Sequence, residues 1–226
     1  MMFPASLIPA DEEARLQALA PFQRIQALPD VVFDAFVELV ALAFHAPVAM
    51  LSFVNADAVW MKALYGLSEP RRVPRNQSLC SLTILQEATT VIQDLNEKVL
   101  PVPVVDLLNK QLKLRFYAGH PLQAQQYNIG VLGIADRTAR VFDEAQQQRL
   151  RSLTALAMQL LQLRLSLPHR KEKPSSAWIF FHDRLTQCIV QLEPSTSTYG
   201  TRLEQLDTVI DLLQRDLNWV NNTLHM

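Results

Sequence analysis

The sequence predicts an α+β domain built on an antiparallel sheet, followed by a C-terminal pair of helices. Short apolar runs rich in β-branched residues and bounded by turn residues predict strands, whereas apolar residues every three or four positions predict helices. Both patterns occur up to residue 167, and after it only the helical spacing continues. Hydrophobic residues make up 49% of the 226-residue chain, which is enough to form a core.

The N-terminal part predicts helices followed by a hairpin. Residues 1–28 form a helical segment in which Pro21 leaves open one helix or two. A stronger apolar stripe predicts a second helix over 29–44. The apolar run 48–54 predicts a buried strand, and 59–65 is its expected hairpin partner.

The middle of the chain mixes helical and strand patterns. Asn76 or Ser78 is a suitable N-cap for the next helix, since both side chains can accept a hydrogen bond from the backbone. The predicted elements here are a helix over 76–86, strands over 89–95, 114–122 and 127–136, and a short helix over 104–109 after a proline-containing loop.

The C-terminal part predicts long helices with a coiled-coil spacing. In the helix over 143–167 the leucines recur at alternating steps of three and four, which favours a coiled-coil seam over a plain core stripe. A charged linker over 168–176 leads to a helical hairpin or dimerisation segment over 177–226. The last helix repeats the spacing at Leu203, Leu206, Ile210, Leu213, Leu217, Val220 and Leu224. Two partners fit that seam, the helix over 177–192 and a second copy of the chain, so a homodimer is expected.

The charge of the chain bears on whether it binds nucleic acid. A net charge of −1 argues against a nucleic-acid surface, which needs a basic stripe. Two basic clusters, Arg71 with Arg72 and Arg75, and Arg170 with Lys171 and Lys173, lie beside prolines and are interpreted as solvated loops.

Cysteine use and hydropathy predict a cytoplasmic protein. Cys80 and Cys188 are too few and too distant to form a disulfide framework, which fits a reducing compartment. The N-terminus lacks the features of a signal peptide, and no apolar run approaches the roughly 20 residues that span a bilayer.

An ordered set of short motifs resembles one signalling family. The motifs are Asp11–Leu16, Phe33-Asp34, Ala46–Ser52, Trp60–Ala63, Gly66-Leu67, Ser78–Cys80, Arg115–Gly119, Pro121-Leu122, Gly130 with Leu132 and Asp136, and Phe142. Over roughly residues 11–167 the chain therefore resembles the bacterial GAF domains found upstream of histidine kinases and cyclases. The resemblance implies a sheet of about six strands over 29–167, with helices on one face and a pocket on the other. It also implies a non-catalytic sensory module that binds a small molecule or a partner protein and signals through its helices, although the family does not fix the ligand.

The same resemblance places a set of side chains near the pocket: Ser52, Trp60, Lys62, Cys80, Thr83, Arg115 and Tyr117. Core aromatics and solvent-facing charges are the competing interpretation of these residues. Arg115 is the most specific candidate, because a strand arginine can clamp a carboxylate or a phosphate. Cys80 is interpreted as a buried small side chain rather than a reactive thiol.

The sequence departs from the family pattern at positions that decide which cofactors and which activities are expected. GAF domains with a covalent bilin carry a cysteine next to a histidine, and this chain has no such pair, so a covalent bilin is not expected. Free methionine sulfoxide reductases of this fold need several pocket cysteines, and only Cys80 lies in the segment. No metal-ligand spacing is present, and the ligand stays unknown.

Two further functions are left open by the residues. His182, Asp183 and Gln187 have the spacing of a histidine kinase phosphoacceptor helix, in which the histidine attacks the γ-phosphate and the acid accepts its proton. An exposed histidine on an amphipathic helix is the competing interpretation, since no nucleotide-binding domain follows. The other alternative is a dimeric scaffold whose pocket is filled by its own side chains.

Overall fold

A six-stranded antiparallel sheet forms the centre of the molecule. The computed structural model describes residues 7–26, 29–68, 71–97, 112–167, 175–192 and 199–224. The strands are β1 (Val48–Val54), β2 (Ala58–Tyr65), β3 (Arg72–Pro74), β4 (Thr90–Ile92), β5 (Phe116–Ala124) and β6 (Tyr127–Asp136), in the order β3-β2-β1-β6-β5-β4. The predicted fold class and the sheet of about six strands are confirmed.

Helices cover the two faces of the sheet unequally. The described helices are α1 (Glu12–Gln26), α2 (Val31–Ala43), α3 (Leu79–Thr83), α4 (Glu144–Ser166), α5 (Ser176–Leu192) and α6 (Tyr199–Leu224). One face, here called the helical face, carries α1, α2 and α4, and α5 and α6 pack outside on α2 and α4. The opposite face carries the short α3. None of the described helices is long and apolar enough to cross a bilayer.

Local chemistry explains where the main helices begin. Asp30 caps α2 by accepting a hydrogen bond from the backbone of Val32 at 3.2 Å. Asp143 and Gln146 form a reciprocal capping box at the start of α4. α1 continues through Pro21, so the N-terminal segment contains one helix rather than two.

Several predicted elements are shorter than expected, and one was missed. Ser78 caps α3, which spans five residues instead of 76–86. The strand over 89–95 is reduced to β4, because the chain turns away from the sheet into a 3-10 helix at Leu95. β3 was missed because a three-residue edge strand with one buried side chain has no readable alternation. The short helix predicted over 104–109 and the cluster at 170–173 lie outside the described residues.

The basic cluster at residues 71–75 is not a solvated loop. Arg72 belongs to β3, and its guanidinium pairs with Asp57. Arg75 is buried, and its guanidinium pairs with Glu12. The loop prediction therefore failed at Arg72 and Arg75, because their partners are distant in sequence, whereas Arg71 is exposed as predicted.

The leucine seams pack inside the chain. The α4 leucines at 153, 156, 160, 163 and 167 are all buried in the core of one chain, as are the α6 residues Leu206, Leu213, Leu217 and Val220. α6 lies against α4 and α5, and α5 lies against α2. These leucines are therefore buried without a second copy of the chain, and the coiled-coil seam stays a prediction. The homodimer stays a prediction.

Candidate functional site

A cavity of about 50 Å³ lies between the sheet and α3. Its walls include Met50, Met61, Leu64, Leu79, Leu95, Leu114, Tyr117 and Ala135, with Gln77, Ser78 and Cys80 as polar or sulfur-bearing neighbours. None of the described residues that line it has a charged side chain. The cavity is therefore an apolar site with a few neutral polar groups.

A β-bulge in β2 determines which side chains reach the cavity. Leu51 pairs with Ala63, but the next residue, Ser52, pairs with Met61, so Lys62 is the extra residue. Strand residues normally alternate between faces, and the bulge breaks this alternation. As a result Met61 and Leu64 line the cavity, whereas Ala63 packs into the core of the helical face.

A chain of neutral polar groups lies beside the cavity. The Tyr117 and Thr83 hydroxyls are 2.9 Å apart, and the Thr83 hydroxyl also donates to the backbone oxygen of Leu79 at 3.1 Å. Burial raises the pKa of Tyr117 well above its ordinary value, and burial also raises the pKa of the Cys80 thiol. All of these groups are therefore neutral at physiological pH.

Gly119 makes room for Tyr117. The two glycines Gly119 and Gly133 are directly paired across β5 and β6. A Cβ at Gly119 would lie 2.3 Å from the Tyr117 hydroxyl oxygen, which is too close for any side chain. The absence of a side chain at Gly119 therefore lets the Tyr117 ring lie along the strand and reach Thr83.

Four of the seven predicted pocket residues lie at the cavity or beside it. Cys80 and Tyr117 are part of the lining. Thr83 bonds to Tyr117 as described, and the buried Ser52 lies within hydrogen-bonding reach of Cys80. The alternation of β1 puts Ser52 on the same face as Met50.

Lys62 lies on the opposite face of the sheet, where the bulge directs it. Its Nζ donates to the backbone oxygen of Ile25 at 2.9 Å and lies 5.0 Å from the centre of the Phe33 ring. Burial lowers the pKa of Lys62 from 10.5 to about 8, against the opposing charge of Asp30. Its placement near the pocket is therefore wrong.

Trp60 and Arg115 also lie outside the cavity. The Trp60 ring stacks beneath Arg72, whose guanidinium carbon is 5.6 Å from the ring centre. Arg115 precedes β5, its side chain is 46% exposed, and it pairs with Asp94. The prediction that Arg115 faces the pocket as an anion clamp is corrected, because its guanidinium is held outside the cavity by Asp94.

Most of the apolar lining of the cavity was not predicted from the sequence. Alternation from Ser52 could have identified Met50, because the two residues share a face of β1. Met61 and Leu64 could not be found in this way, because the bulge between them shifts the alternation by one residue.

The phosphoacceptor candidates lie on α5, far along the chain from the cavity. The His182 side chain is 41% exposed, with its Nδ1 3.7 Å from a carboxylate oxygen of Asp183. The Gln187 side chain accepts a hydrogen bond from Arg184 at 3.1 Å. Phosphorylation of His182 stays a prediction. Among the described residues there is no group of three or more His, Cys, Asp or Glu side chains that could hold a metal ion.

The sheet, the helical layers and the cavity define an α+β domain with an apolar cavity on one face of its sheet. The family model described as GAF domain matches residues 29–161. The chain belongs to the GAF domain family, as the motif order indicated.

Relatives and solved structures agree with this fold. A cyclic di-GMP phosphodiesterase of Pseudomonas aeruginosa is 30% identical over 135 residues, which cover 58% of this chain. The match spans only 22% of that relative. The free methionine-R-sulfoxide reductase of Neisseria meningitidis superposes with a TM-score of 0.51 at 17% identity, covering 74% of this chain and all of that chain. A domain from Sinorhizobium meliloti 1021, assigned to a two-component sensor histidine kinase, gives 0.50 at 14% identity, with coverages of 59% and 91%. At these identities the two structures establish the fold alone.

Proposed function

We propose that this chain is a non-catalytic regulatory module that binds a small, neutral, apolar molecule in the cavity beside α3. The observation that carries the proposal is the cavity wall, which consists of apolar side chains and a few neutral polar groups. Binding there would bury apolar ligand surface, a favourable process at about 25 cal/mol per Å². The neutral Tyr117 and Cys80 would supply orientation rather than charge.

The charge distribution argues against a nucleotide or another anion as the ligand. Phosphate recognition relies on arginine, lysine or a helix N-terminus. The helix N-terminus at the cavity is that of the five-residue α3, where the Ser78 side chain already accepts the hydrogen bond of the Cys80 N–H. The two cationic candidates, Lys62 and Arg115, are bonded elsewhere, to Ile25 and Asp94. A phosphate in this cavity would lose its hydration without receiving a compensating charge.

The cavity must widen to admit a whole ligand. Ligand sites commonly measure about 300–1,000 Å³, well above the volume of this cavity. Met61, Leu64, Leu67 and Leu112 line the cavity and are only partly buried. Methionine is flexible enough to change rotamer at low cost, so these residues are the expected entrance.

The comparison with the phosphodiesterase supports a regulatory role. The similarity covers a small part of that enzyme, so the shared unit is a module within a larger protein. By analogy, the output of this chain would be a partner signalling protein. A catalytic thiol is not part of the proposal, because burial keeps Cys80 neutral.

The test measures binding of the neutral fluorophore N-phenyl-1-naphthylamine and of cyclic nucleotides to the purified chain. We expect saturable fluorophore binding, a raised melting temperature, and no response to nucleotides. Ala135→Leu fills the cavity and should weaken fluorophore binding about tenfold or more, a loss of about 1.4 kcal/mol. The control Val141→Leu is a similar apolar change at an exposed position and should have no effect. Binding of a nucleotide, or equal fluorophore binding by Ala135→Leu, would contradict the proposal.

A further inference from the structure

The bulge at Lys62 joins the cavity to the helical face. Met61 and Leu64 line the cavity, and Lys62 between them lies on the other side of the sheet. The Lys62 side chain is fixed there by the backbone oxygen of Ile25 and by the Phe33 ring. A displacement of the cavity wall at this point must therefore move a group buried beneath α2.

Lys62 belongs to a cluster of side chains that joins three helices. This cluster is here called the Asp30 junction and consists of Asp30, Phe33, Lys62, Arg164 and Trp178. Asp30 accepts hydrogen bonds from the Trp178 indole and from the Arg164 Nε, each at 2.9 Å. The ring centres of Phe33 and Trp178 are 5.5 Å apart, and the Arg164 guanidinium carbon is 5.4 Å from the Trp178 ring. The junction ties the start of α2 to the end of α4 and to the first turn of α5.

Trp178 is the residue through which α5 enters this cluster. It is buried, lies in the first turn of α5, and makes a charge-assisted hydrogen bond to Asp30. Trp178 is therefore the contact at the end of α5 nearest the junction, and the docked face continues along α5 through the buried residues Phe181, Leu185, Cys188, Ile189 and Leu192.

We propose that the bulge and the Asp30 junction couple the cavity to the docking of the C-terminal helical pair, α5 and α6, so that filling the cavity loosens this pair from α2. This inference rests on the proposed function, since it assumes that the cavity accepts a ligand. A ligand that separates Met61 from Leu64 displaces Lys62, and with it the Phe33 ring on which Trp178 packs. The Asp30–Trp178 bond cannot follow a large displacement, because hydrogen bonds weaken steeply beyond about 3.2 Å.

The coupling requires reciprocity between the two sites. If filling the cavity weakens the docking of α5, then loosening α5 must strengthen binding in the cavity by the same factor. The released pair would expose the α2 surface to an output partner, and the docked pair would cover it.

The test uses the full chain, with N-phenyl-1-naphthylamine as the probe and hydrogen–deuterium exchange of residues 176–192 as the readout. We expect a saturating probe to accelerate exchange in α5 about tenfold, within the usual range of coupling between sites. In Lys62→Met the probe should still bind and the acceleration should disappear. If that variant does not fold, Trp178→Phe keeps an aromatic ring at this position, removes the bond to Asp30, and should show fast exchange without the probe.

The reciprocal arm measures probe affinity. Trp178→Ala should bind the probe about tenfold more tightly than the parent chain. Trp219→Ala is the matched control, since Trp219 lies on α6 and is 62% exposed, and its probe affinity should be unchanged.

The outcomes separate this inference from the proposed function. Probe binding without any change of exchange in α5 would overturn the coupling and leave the proposed function intact. If no probe binds, the proposed function fails for this ligand class, and Ala135→Leu then tests the coupling by filling the cavity from within. Unchanged exchange in α5 of that variant would overturn the coupling as well.

Discussion

The two faces of the sheet are built differently. The helical face holds a continuous core in which α1, α2 and α4 pack on the strands and α5 and α6 pack outside them. Among the described residues, the opposite face carries the five-residue α3, and a cavity lies between α3 and the sheet. Tightly packed interiors resist deformation, whereas a loosely covered face can change shape at low cost. We therefore expect the helical face to supply most of the free energy of unfolding and the opposite face to change shape more easily.

Polar groups follow the same division. Among the described residues, the buried charged side chains lie on the helical face or at the end of the sheet, and each bonds to a partner, as in the Asp30 junction and in the contacts of Glu12 with Arg15 and Arg75. The cavity face uses neutral hydroxyls and a thiol. Paired charges fix geometry strongly because breaking them leaves an uncompensated charge. Neutral groups impose a weaker constraint on a ligand.

The largest expected effect comes from matched leucine truncations on the two faces. Leu132 is fully buried in the core of the helical face, and Leu79 lines the cavity. Leu132→Ala should cost about 4 kcal/mol of unfolding free energy, and Leu79→Ala about 2 kcal/mol, because Leu79 already borders open space. Urea denaturation of both variants and the parent chain measures the difference.

Equal losses would break the comparison. They would mean that Leu79 is packed as tightly as Leu132, and that the cavity beside Leu79 does not lower the cost of removing its side chain. A larger loss for Leu79→Ala would reverse the assignment of stability to the helical face.

Much of the fold could be predicted because its signals are local. The strand β1 is apolar along its length and ends at a turn, and α4 begins at a capping aspartate. β3 and the true length of α3 were not predictable, because both depend on tertiary contacts rather than on periodicity. The apolar stripes of α4 and α6 show that a heptad-like spacing predicts a buried helix face but does not identify the element that packs on that face.

The site was predicted only in part, for a related reason. Cys80 and Tyr117 were found through the family resemblance, and both line the cavity. Lys62 was misplaced because one extra residue in β2 reverses its face, and no residue type marks a bulge of this kind. Arg115 was misplaced because its partner, Asp94, is brought to it by the pairing of distant segments.

A smaller loss is expected at the charged cluster that anchors α1. The Glu12 carboxylate pairs with the guanidinium groups of Arg15 and Arg75, both of which are buried. Glu12→Gln leaves two buried cations without their counterion and should cost about 3 kcal/mol. Arg24 of the same helix donates to a backbone oxygen at an exposed position, so Arg24→Gln is a suitable control with a loss below about 1 kcal/mol.

The pH dependence gives this prediction a second readout. Burial opposes ionisation of Glu12, but the hydrogen bonds and charges of the two arginines outweigh it and lower its pKa from 4.5 to about 2. A carboxyl whose pKa is lower in the folded state contributes stability that is fully present above pH 4.5 and is lost as the pH falls towards 2. The parent chain should lose stability over this window more steeply than Glu12→Gln. Parallel curves would show that the cluster does not stabilise the fold.

The smallest effect is expected at the cavity hydroxyl. Tyr117→Phe removes the hydrogen bond to Thr83 and a weak contact with the Cys80 thiol, and Thr83 keeps its bond to the backbone oxygen of Leu79. The loss should therefore be about 1 kcal/mol, the usual net value of one hydrogen bond whose partner remains satisfied. Tyr127→Phe is the matched control, because its hydroxyl bonds only to the neighbouring Gln126 at an exposed position, and it should change stability by less than about 0.5 kcal/mol. A loss for Tyr117→Phe as large as that of Leu79→Ala would show that the polar groups, rather than the apolar wall, hold the cavity face together, and the contrast between the two faces would then concern chemistry more than packing.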